Sequence, residues 1–343
     1  MTVARSAAVK VGLIGYGYWG PNLARNLAET SGLELAAIAD ARPDRLKLAA
    51  RRHPGVRTSA DAATLLARDD LEAIVIATPL ASHHSLAKAA IERGKHVLVE
   101  KPLAASRAEA EELAERAEAR AVRLMVDHTF VYTGAVQKIR ALVDAGELGD
   151  LLYLDSVRVN LGLFQQDSNV IWDLAAHDLA VMDHLIDERP LAVSANGSAV
   201  AGYKHENIAY ITVHYASGFL GHFHVNWLAP VKIRHMLLGG RQRMLVYDDM
   251  EPSEKVRVYD KGVDFDVQDE ETRRQILVSY RTGDMYAPKL DRREALARVA
   301  AEFAASIADR RAPLTGAPAG IRVVTMLQAA ERSLRDDGRR IAL

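Results

Sequence analysis

The sequence predicts an α/β fold with a doubly wound parallel sheet in its N-terminal part and an α+β domain with a largely antiparallel open sheet after it. Three observations predict this. Short apolar runs alternate with helical stretches early in the chain, a glycine-rich turn follows the first run, and several strands follow one another closely in the second half. A chain of 343 residues has room for about two domains, and we expect them to comprise residues 1–125 and 126–343.

The composition excludes several classes of protein. Hydrophobic residues make up 49% and charged residues 26%, as in ordinary globular domains. A net charge of −1 argues against a nucleic-acid partner, and the absence of cysteine excludes disulfides and thiolate metal sites. No apolar run reaches the roughly 18–20 residues that span a bilayer, and the start of the chain does not resemble a secretory signal. We expect a cytoplasmic protein with no membrane partner.

Four apolar runs in the first half each end in a breaker cluster, and helical stretches separate them. The predicted strands are Val9 to Ile14, Leu33 to Ala39, Leu71 to Ala77 and His96 to Val99. The predicted helices include Arg42 to His53, Ala81 to Arg93 and Ala105 to Ala121. Because such sheets bind ligands at the carboxyl ends of their strands, the breaker clusters are the candidate site.

The second half begins with helices and continues with strands joined by short turns, which predicts antiparallel pairing between consecutive strands. A helix is expected at Ala135 to Ala145, a strand near Leu151 to Asn160 and an apolar helix at Val170 to Ile186. The following strands are expected at Leu191 to Val200, Ala209 to Tyr215, Phe219 to Trp227, Ile233 to Leu238, Arg243 to Tyr247 and Lys255 to Tyr259. Two closing helices are expected at Leu290 to Asp309 and Ala319 to Arg335, with the last one free to pack back on the first domain.

The glycine-rich turn lies between the first strand and the first helix. In Gly15-x-Gly17-x-x-Gly20, the first glycine makes the turn, the second lets backbone approach a pyrophosphate, and the third lets helix and strand pack closely. Asp40 ends the second strand, where a carboxylate can accept hydrogen bonds from a ribose diol. Together they predict a Rossmann-type dinucleotide-binding domain, whose turn also contributes Tyr18 and Trp19.

Asp40 also favours NAD over NADP, because a carboxylate repels the additional 2′-phosphate of NADP. Arg42, two residues further on, is a cation that could offset this repulsion. We interpret it instead as a solvated surface charge or a neighbour of the adenine.

Three motifs in order resemble the Gfo/Idh/MocA family of sugar oxidoreductases. They are the glycine turn, the run from Gly94 to Pro102 (GKHVLVEKP) with Ala77-Thr78-Pro79 and His83 before it, and the later pair Asp173 and His177. The resemblance covers nearly the whole chain. The segments around Trp19 and His177 are most similar to nucleotide-sugar members such as UDP-N-acetylhexosamine 3-dehydrogenases.

The resemblance implies that Lys101 acts at the active site, beside the reacting hydroxyl and the nicotinamide in the cleft between the domains. It also implies that the bond before Pro102 is often cis. The positions implied to lie near the cofactor are Thr78, Pro79, His83, Glu100 and Lys101.

Asp173 and His177 stand four residues apart in a predicted helix, so they share one face. The resemblance implies that His177 is the catalytic acid and base, while Asp173 binds substrate or orients the imidazole. The sequence alone favours a different interpretation, in which the pair forms a local hydrogen bond that stabilises the helix.

Further candidates follow from position and from departures from the family pattern. The family commonly has a glycine-rich loop before the aspartate and an acid three residues after the histidine, whereas this chain has Phe164 to Asn169 and Ala180. His214, His222 and His224 alternate on predicted neighbouring strands, and we interpret them as a sheet face that packs on another subunit rather than as a zinc site. No metal site is predicted. Candidate substrate contacts are His128, Asn160 and Gln165.

Together these features predict an NAD-dependent oxidoreductase that acts on a secondary alcohol of a sugar, by resemblance a nucleotide sugar, and that forms a homodimer or homotetramer through the second domain's sheet. The alternatives are a cyclitol or free-sugar dehydrogenase, a non-catalytic dinucleotide-binding regulator, and a redox protein that keeps its cofactor bound.

Overall fold

The computed structural model describes residues 8–162, 168–262 and 283–343. The chain divides into two compact units. The first comprises Met1–Thr133 and Arg293–Thr325, and the second comprises Gly134–Arg292 and Met326–Leu343. The first unit therefore includes a late segment that the sequence assigned to the second domain. The binding roles predicted for the two domains stay predictions.

A six-stranded parallel sheet forms the centre of the first unit, with strand order β3-β2-β1-β4-β5-β6. Its strands are β1 Val9–Ile14, β2 Leu33–Ala39, β3 Arg57–Ser59, β4 Ala73–Ile76, β5 His96–Glu100 and β6 Leu124–Asp127. The strand order reverses between β1 and β4, and β4 is buried along its whole length because helices cover both faces. The predicted doubly wound sheet is confirmed.

Helices follow the strands of this sheet in alternation. They are α1 Gly20–Glu29, α2 Pro43–Arg52, α3 Ala62–Leu66, α4 His83–Glu92 and α5 Arg107–Ala119, with single 3₁₀ turns at Leu80–Ser82 and Thr129–Tyr132. Pro21 lies in the first turn of α1. A backbone N–H at that position has no acceptor within the helix, so proline, which lacks this group, costs no hydrogen bond there. Ser106 caps α5 by accepting the backbone N–H of Glu109.

A nine-stranded sheet forms the second unit, with strand order β14-β13-β12-β11-β7-β10-β9-β8-β15. Its strands are β7 Leu151–Leu161, β8 Ala192–Ser198, β9 Ile208–His214, β10 Leu220–Asn226, β11 Leu228–Gly240, β12 Met244–Asp248, β13 Val256–Tyr259, β14 Met285–Tyr286 and β15 Ile341–Ala342. The largely antiparallel sheet is confirmed.

The expectation that consecutive strands pair is wrong for β10 and β11. The long strand β7 lies between them and pairs with β10 in parallel and with β11 in antiparallel register. Trp227 is the only residue between β10 and β11, and one residue is too short for a hairpin loop. The two strands therefore lie on opposite sides of β7.

The remaining helices are α6 Gly134–Asp144, α7 Ala176–Leu185, α8 Ala295–Ala308 and α9 Ala317–Arg335. The sequence predicted one α-helix from Val170 to Ile186, but its first turn, Ile171–Ala175, is π-helical. Such a turn has i→i+5 hydrogen bonds and often occurs at functional sites. No helix in the described part of the chain is long and apolar enough to cross a membrane.

Candidate active site

The glycine turn has two glycines that packing requires and one that faces open space. Gly15 has a φ of +98°, and a Cβ on it would lie 2.4 Å from the carbonyl oxygen of Ala77. A Cβ on Gly20 would lie 2.4 Å from the Gly15 carbonyl oxygen. A Cβ on Gly17 would meet only the Arg42 guanidinium, at 3.3 Å. Gly17 therefore leaves a surface that a dinucleotide pyrophosphate fits.

The start of α1 beside this turn carries no compensating negative charge. Its first turn has no acidic residue, and Trp19 at the cap position makes no side-chain hydrogen bond to it. The helix dipole therefore favours an anion here. Tyr18 and Trp19 are 80% and 41% exposed, and their rings meet edge to face with centroids 5.5 Å apart. Both aromatic rings are open to a ligand.

Asp40, at the end of β2, is nearly buried and held by its neighbours. Its carboxylate accepts the backbone N–H of Tyr16 at 2.7 Å and that of Arg42 at 2.9 Å. The Arg42 guanidinium donates to both oxygens, at 3.0 and 3.1 Å. Burial acts to raise the pKa of Asp40, but the hydrogen bonds from Arg42 and Tyr16 outweigh it and lower that pKa. Arg42 is thus an ion-pair partner of Asp40, and its interpretation as a solvated charge is incomplete.

Replacing Asp40 with serine is expected to weaken NAD binding and to shift the preference toward NADP by at least about tenfold, or about 1.4 kcal/mol. The change removes the carboxylate that repels a 2′-phosphate and frees the Arg42 guanidinium, which is exposed, to bind it. The ratio of the two dissociation constants, measured by calorimetry, checks this.

Asp70→Ser is the matched control, because Asp70 and Arg68 form an ion pair of the same two-residue spacing in a loop before β4. It should leave the cofactor preference unchanged. An unchanged preference in Asp40→Ser itself would remove the argument for NAD.

His83 joins the loops that follow β4 and β5. It is 1% exposed, its Nε2 lies 2.8 Å from the carbonyl oxygen of Thr78, and its Nδ1 lies 2.8 Å from that of Pro102. Burial lowers the pKa of His83, while the two carbonyl contacts act to raise it. The bond between Lys101 and Pro102 is cis, as the resemblance implied. His83 therefore positions backbone on both sides of the candidate site, and Pro79 beside it is exposed.

The ends of β5 and β6 carry the other charged groups of this edge. Lys101 is half-buried directly after β5, and its backbone N–H donates to the Glu100 carboxylate at 2.9 Å. Glu100 pairs in register with Asp127 on β6. His128, a predicted substrate contact, is only 2% exposed, so the structure places its ring in the interior rather than on a surface open to substrate.

Within the first unit the structure brings the predicted cofactor residues to one edge. The glycine turn, Asp40, Thr78 and Lys101 follow β1, β2, β4 and β5 respectively, and these strands are parallel neighbours. Carboxyl ends of parallel strands meet at the same edge of a sheet, which is where such folds bind nucleotides.

In the second unit, Asp173 lies on the π-helical turn and His177 in the first turn of α7. Trp227, 1% exposed, donates its indole N–H to the Asp173 carboxylate at 3.0 Å. Asn169 caps the π-helical turn, because its side-chain oxygen accepts the backbone N–H of Ile171 and that of Trp172 at 3.2 Å. Sequence reasoning missed Trp227, since its contact with Asp173 spans 54 positions.

A buried ion pair fixes the helix that carries His177. Asp178 accepts the Arg158 guanidinium at 2.6 and 3.0 Å and the Ser156 hydroxyl at 3.0 Å. All three residues are at most 5% exposed, and the two partners of Asp178 lie on β7. The sequence contains a signal for this ion pair, because Arg158 occupies an inward-facing position of a strand. The pair holds α7 against β7 directly beside His177.

The two other predicted substrate contacts are less informative. A Cβ on Gly162 would lie 2.7 Å from the Asn160 side-chain nitrogen. The Asn160 amide therefore lies close to the backbone of its own chain, two residues further on. Gln165 lies outside the described residues.

The three histidines of the predicted sheet face do lie on one face of β9 and β10. His222 is opposite Thr212, His224 is opposite Tyr210, and His214 is opposite Leu220. The Tyr210 ring stacks on His224 with centroids 4.5 Å apart. Within residues 8–162, 168–262 and 283–343, no group of three or more His, Asp or Glu side chains is arranged to hold a metal ion.

A Rossmann sheet with an open glycine turn, an ionised carboxylate after β2 and a lysine after β5 defines the first unit as a dinucleotide-binding type. The oxidoreductase family with an NAD-binding Rossmann fold matches residues 9–128, and the GFO/IDH/MocA C-terminal domain matches residues 136–247. The chain belongs to the Gfo/Idh/MocA oxidoreductase family. The resemblance and NAD as the expected cofactor are confirmed at the level of the family.

Relatives of known name act on different sugars and cyclitols. The chain is 29% identical to an inositol 2-dehydrogenase of Mycolicibacterium gilvum over 197 residues, 56% of this chain and 55% of that protein. It is 28% identical to a 2,7-anhydro-N-acetylneuraminate hydratase of Mediterraneibacter gnavus over 200 residues, 55% of this chain and 52% of that protein. The chain thus spans about half the length of these curated relatives.

Similar solved structures cover nearly the whole chain. The UDP-N-acetylglucosamine 3-dehydrogenase GnnA from Acidithiobacillus ferrooxidans is 25% identical, with a TM-score of 0.82 over 96% of this chain and 99% of that chain. GenD2 of gentamicin A biosynthesis, solved in complex with NAD, is 23% identical with a TM-score of 0.82 over 99% of this chain and 98% of that chain. The second likeness shows the shared fold.

Proposed function

We propose that the protein is an NAD-dependent dehydrogenase that interconverts a secondary alcohol and a ketone of a sugar, and that its substrate is a nucleotide sugar. The observation that carries the proposal is Lys101, half-buried after β5 at the edge where the glycine turn and the Asp40 carboxylate also lie. A cation at that edge suits a reaction in which negative charge develops on a substrate oxygen.

The residues of the first unit fit a bound dinucleotide. The open side of Gly17 and the start of α1 would hold its pyrophosphate, and Asp40 would accept a ribose hydroxyl. When bound, NAD supplies the acceptor for a hydride from the substrate carbon. The Lys101 ammonium then hydrogen-bonds the substrate oxygen and stabilises the charge that develops on it as the carbonyl forms.

His177 takes the hydroxyl proton during oxidation and returns it during reduction. The ion pair of Asp178 with Arg158 holds the helix that carries this imidazole. The Trp227 indole N–H fixes the orientation of the Asp173 carboxylate, and we assign that carboxylate to binding the substrate or to orienting the imidazole.

Replacing His177 with alanine is expected to lower turnover by roughly 100- to 10,000-fold, the usual contribution of a general base. Wild-type oxidation should slow at acid pH as the imidazole becomes protonated, and this acid limb should disappear in the variant. Profiles of kcat against pH check both statements.

His184→Asn provides the control, because His184 lies on the same helix and contacts Gln137 rather than Asp173. It should keep the acid limb. An unchanged limb in His177→Ala would assign the proton transfer to another group.

A nucleotide-sugar substrate is supported by the likeness to GnnA over nearly the whole chain. The inositol 2-dehydrogenase relative favours a cyclitol as the second candidate. A third candidate is a redox protein that keeps its cofactor permanently bound. The partly exposed face of β9 and β10, with Tyr210 and Leu220, is the surface that we assign to a homodimer or homotetramer.

The test follows nicotinamide absorbance with NAD and NADP against UDP-, GDP- and dTDP-sugars, free sugars and inositols. Reduction of NAD by a nucleotide sugar supports the proposal, and reduction by inositol or a free sugar alone selects the second candidate. Purified protein that already carries NADH and shows no net reduction selects the third. No cofactor binding and no turnover with any of these compounds would contradict all of them.

A further inference from the structure

Two carboxyl groups lie side by side at the ends of β5 and β6, and the proposed reaction uses neither as an acid or base. Glu100 and Asp127 are register partners in a parallel ladder. Neighbouring strands are about 4.8 Å apart, and paired residues project to the same face. Glu100 is 8% exposed and Asp127 is 1% exposed, so both carboxyl groups are removed from water.

The hydrogen bonds around the pair leave one acceptor unused. The Asp127 Oδ1 accepts the Thr129 hydroxyl at 2.7 Å, and the Glu100 Oε2 accepts the Lys101 backbone N–H at 2.9 Å. The Asp127 Oδ2 is buried without a hydrogen-bond partner among the described residues. Burying an ionised carboxylate oxygen with no hydrogen-bond donor costs free energy. A proton placed between the two carboxyl groups gives that oxygen a hydrogen bond.

The titratable neighbours do not supply a second positive charge. Lys101 is the nearby cation. Burial lowers the pKa of His128 to about 3, and both of its ring nitrogens are buried without a partner among the described residues, so the ring is neutral. Burial raises the pKa of Tyr132, which is therefore also neutral. One cation balances one carboxylate, and the second carboxyl group is left to carry a proton.

The pKa values agree with this count. Burial and the charge of Asp127 raise the pKa of Glu100 to about 8, against the opposite effect of Lys101. Burial raises the pKa of Asp127 to about 6, although the Thr129 hydrogen bond acts to lower it. Because the two groups interact, the two values belong to the pair, which holds one proton at neutral pH.

We propose that Glu100 and Asp127 share one proton in the folded protein and that binding of the oxidised dinucleotide releases it to solvent. The inference rests on the proposed function, because it requires Glu100 to lie beside the nicotinamide. That ring is positively charged in NAD⁺ and uncharged in NADH. A pair that holds one proton carries one negative charge and therefore favours the reduced form, whereas a fully ionised pair carries two and favours the oxidised form. Asp127 is a positioning residue that acts through Glu100.

The first measurement needs no cofactor. Infrared spectra of the free protein are recorded between about pH 5 and about pH 9. The C=O band of a protonated carboxylic acid should be present at the lower pH values and should disappear as the pH rises through about 8. Glu100→Gln should remove the band, and Asp127→Asn should move its loss to lower pH. Glu302→Gln is the matched control, because this partly buried acid is ion-paired with Arg311 and should contribute no such band.

The second measurement is calorimetric binding of NAD⁺ and NADH in two buffers of different ionisation enthalpy. NAD⁺ affinity should rise from about pH 6 to about pH 8 by up to about tenfold per pH unit, with release of up to one proton per site. NADH affinity should lack this slope. In Glu100→Gln, NAD⁺ binding should lose both the slope and the proton release.

The outcomes separate the inference from the proposed function. Absence of the acid band in the free protein overturns the shared proton, whatever the cofactor does. A band together with NAD⁺ affinity that is flat with pH overturns the link to binding. A band in a protein that binds neither NAD⁺ nor NADH supports the shared proton, overturns its link to the cofactor and contradicts the proposed function.

Discussion

Replacing Lys101 with alanine is expected to reduce turnover by roughly 100- to 1,000-fold, the usual effect of removing a group that stabilises a developing oxyanion. In the proposed mechanism the ammonium hydrogen-bonds the substrate oxygen most strongly when the carbonyl forms, so its loss should act on kcat. The dissociation constant of NAD should change little, because we propose that the glycine turn and Asp40 bind the other end of the dinucleotide.

Lys88→Ala is the control for this variant. Lys88 belongs to the same unit but pairs with Glu112 between α4 and α5, away from the strand ends. It should retain wild-type turnover, which shows that loss of one positive charge from the unit is harmless. Near-normal turnover in Lys101→Ala would exclude Lys101 from the chemistry.

Replacing Asp178 with alanine is expected to lower the free energy of unfolding by about 3–5 kcal/mol, the usual cost of breaking a buried ion pair. The Arg158 side chain is 6% exposed and would keep its charge with no carboxylate beside it. The Ser156 hydroxyl would also lose its acceptor. Urea unfolding followed by tryptophan fluorescence measures the difference.

Two further variants show whether the buried charge causes the loss. Arg158→Met combined with Asp178→Leu removes both charges and should recover most of the stability. Asp187→Ala, which breaks the exposed end of the Arg140 pair, should have a far smaller effect. Equal losses in Asp178→Ala and Asp187→Ala would contradict the assigned role of the pair.

Local signals explain what the sequence predicted well. The four strands that the sequence predicted in the parallel sheet are short apolar runs that end in a breaker, and helical stretches separate them, whereas β3 is a short polar strand without this signal. The glycine turn and Asp40 are separated by one helix and one strand, α1 and β2, whose geometry is fixed by the fold itself. For this reason the parallel sheet, the glycine turn and Asp40 follow from the sequence pattern, whereas the other candidate cofactor residues were implied by the family resemblance: Thr78, Pro79, His83, Glu100 and Lys101.

Contacts between distant parts of the chain explain what the sequence did not predict. The insertion of β7 between β10 and β11 depends on pairing across about 70 positions. The Trp227 hydrogen bond to Asp173 and the register of Glu100 with Asp127 likewise exist only after folding. No periodicity in the sequence distinguishes the π-helical turn before α7 from an ordinary helical turn.

The proposed mechanism requires Lys101 and His177 to act on one hydroxyl group. A crystal structure with NAD and the sugar selected by the absorbance assay tests it directly. The account predicts the Lys101 Nζ and a ring nitrogen of His177 within about 3.2 Å of the same substrate oxygen. A complex in which either atom lies beyond hydrogen-bond reach of that oxygen, with no bridging water, would contradict it.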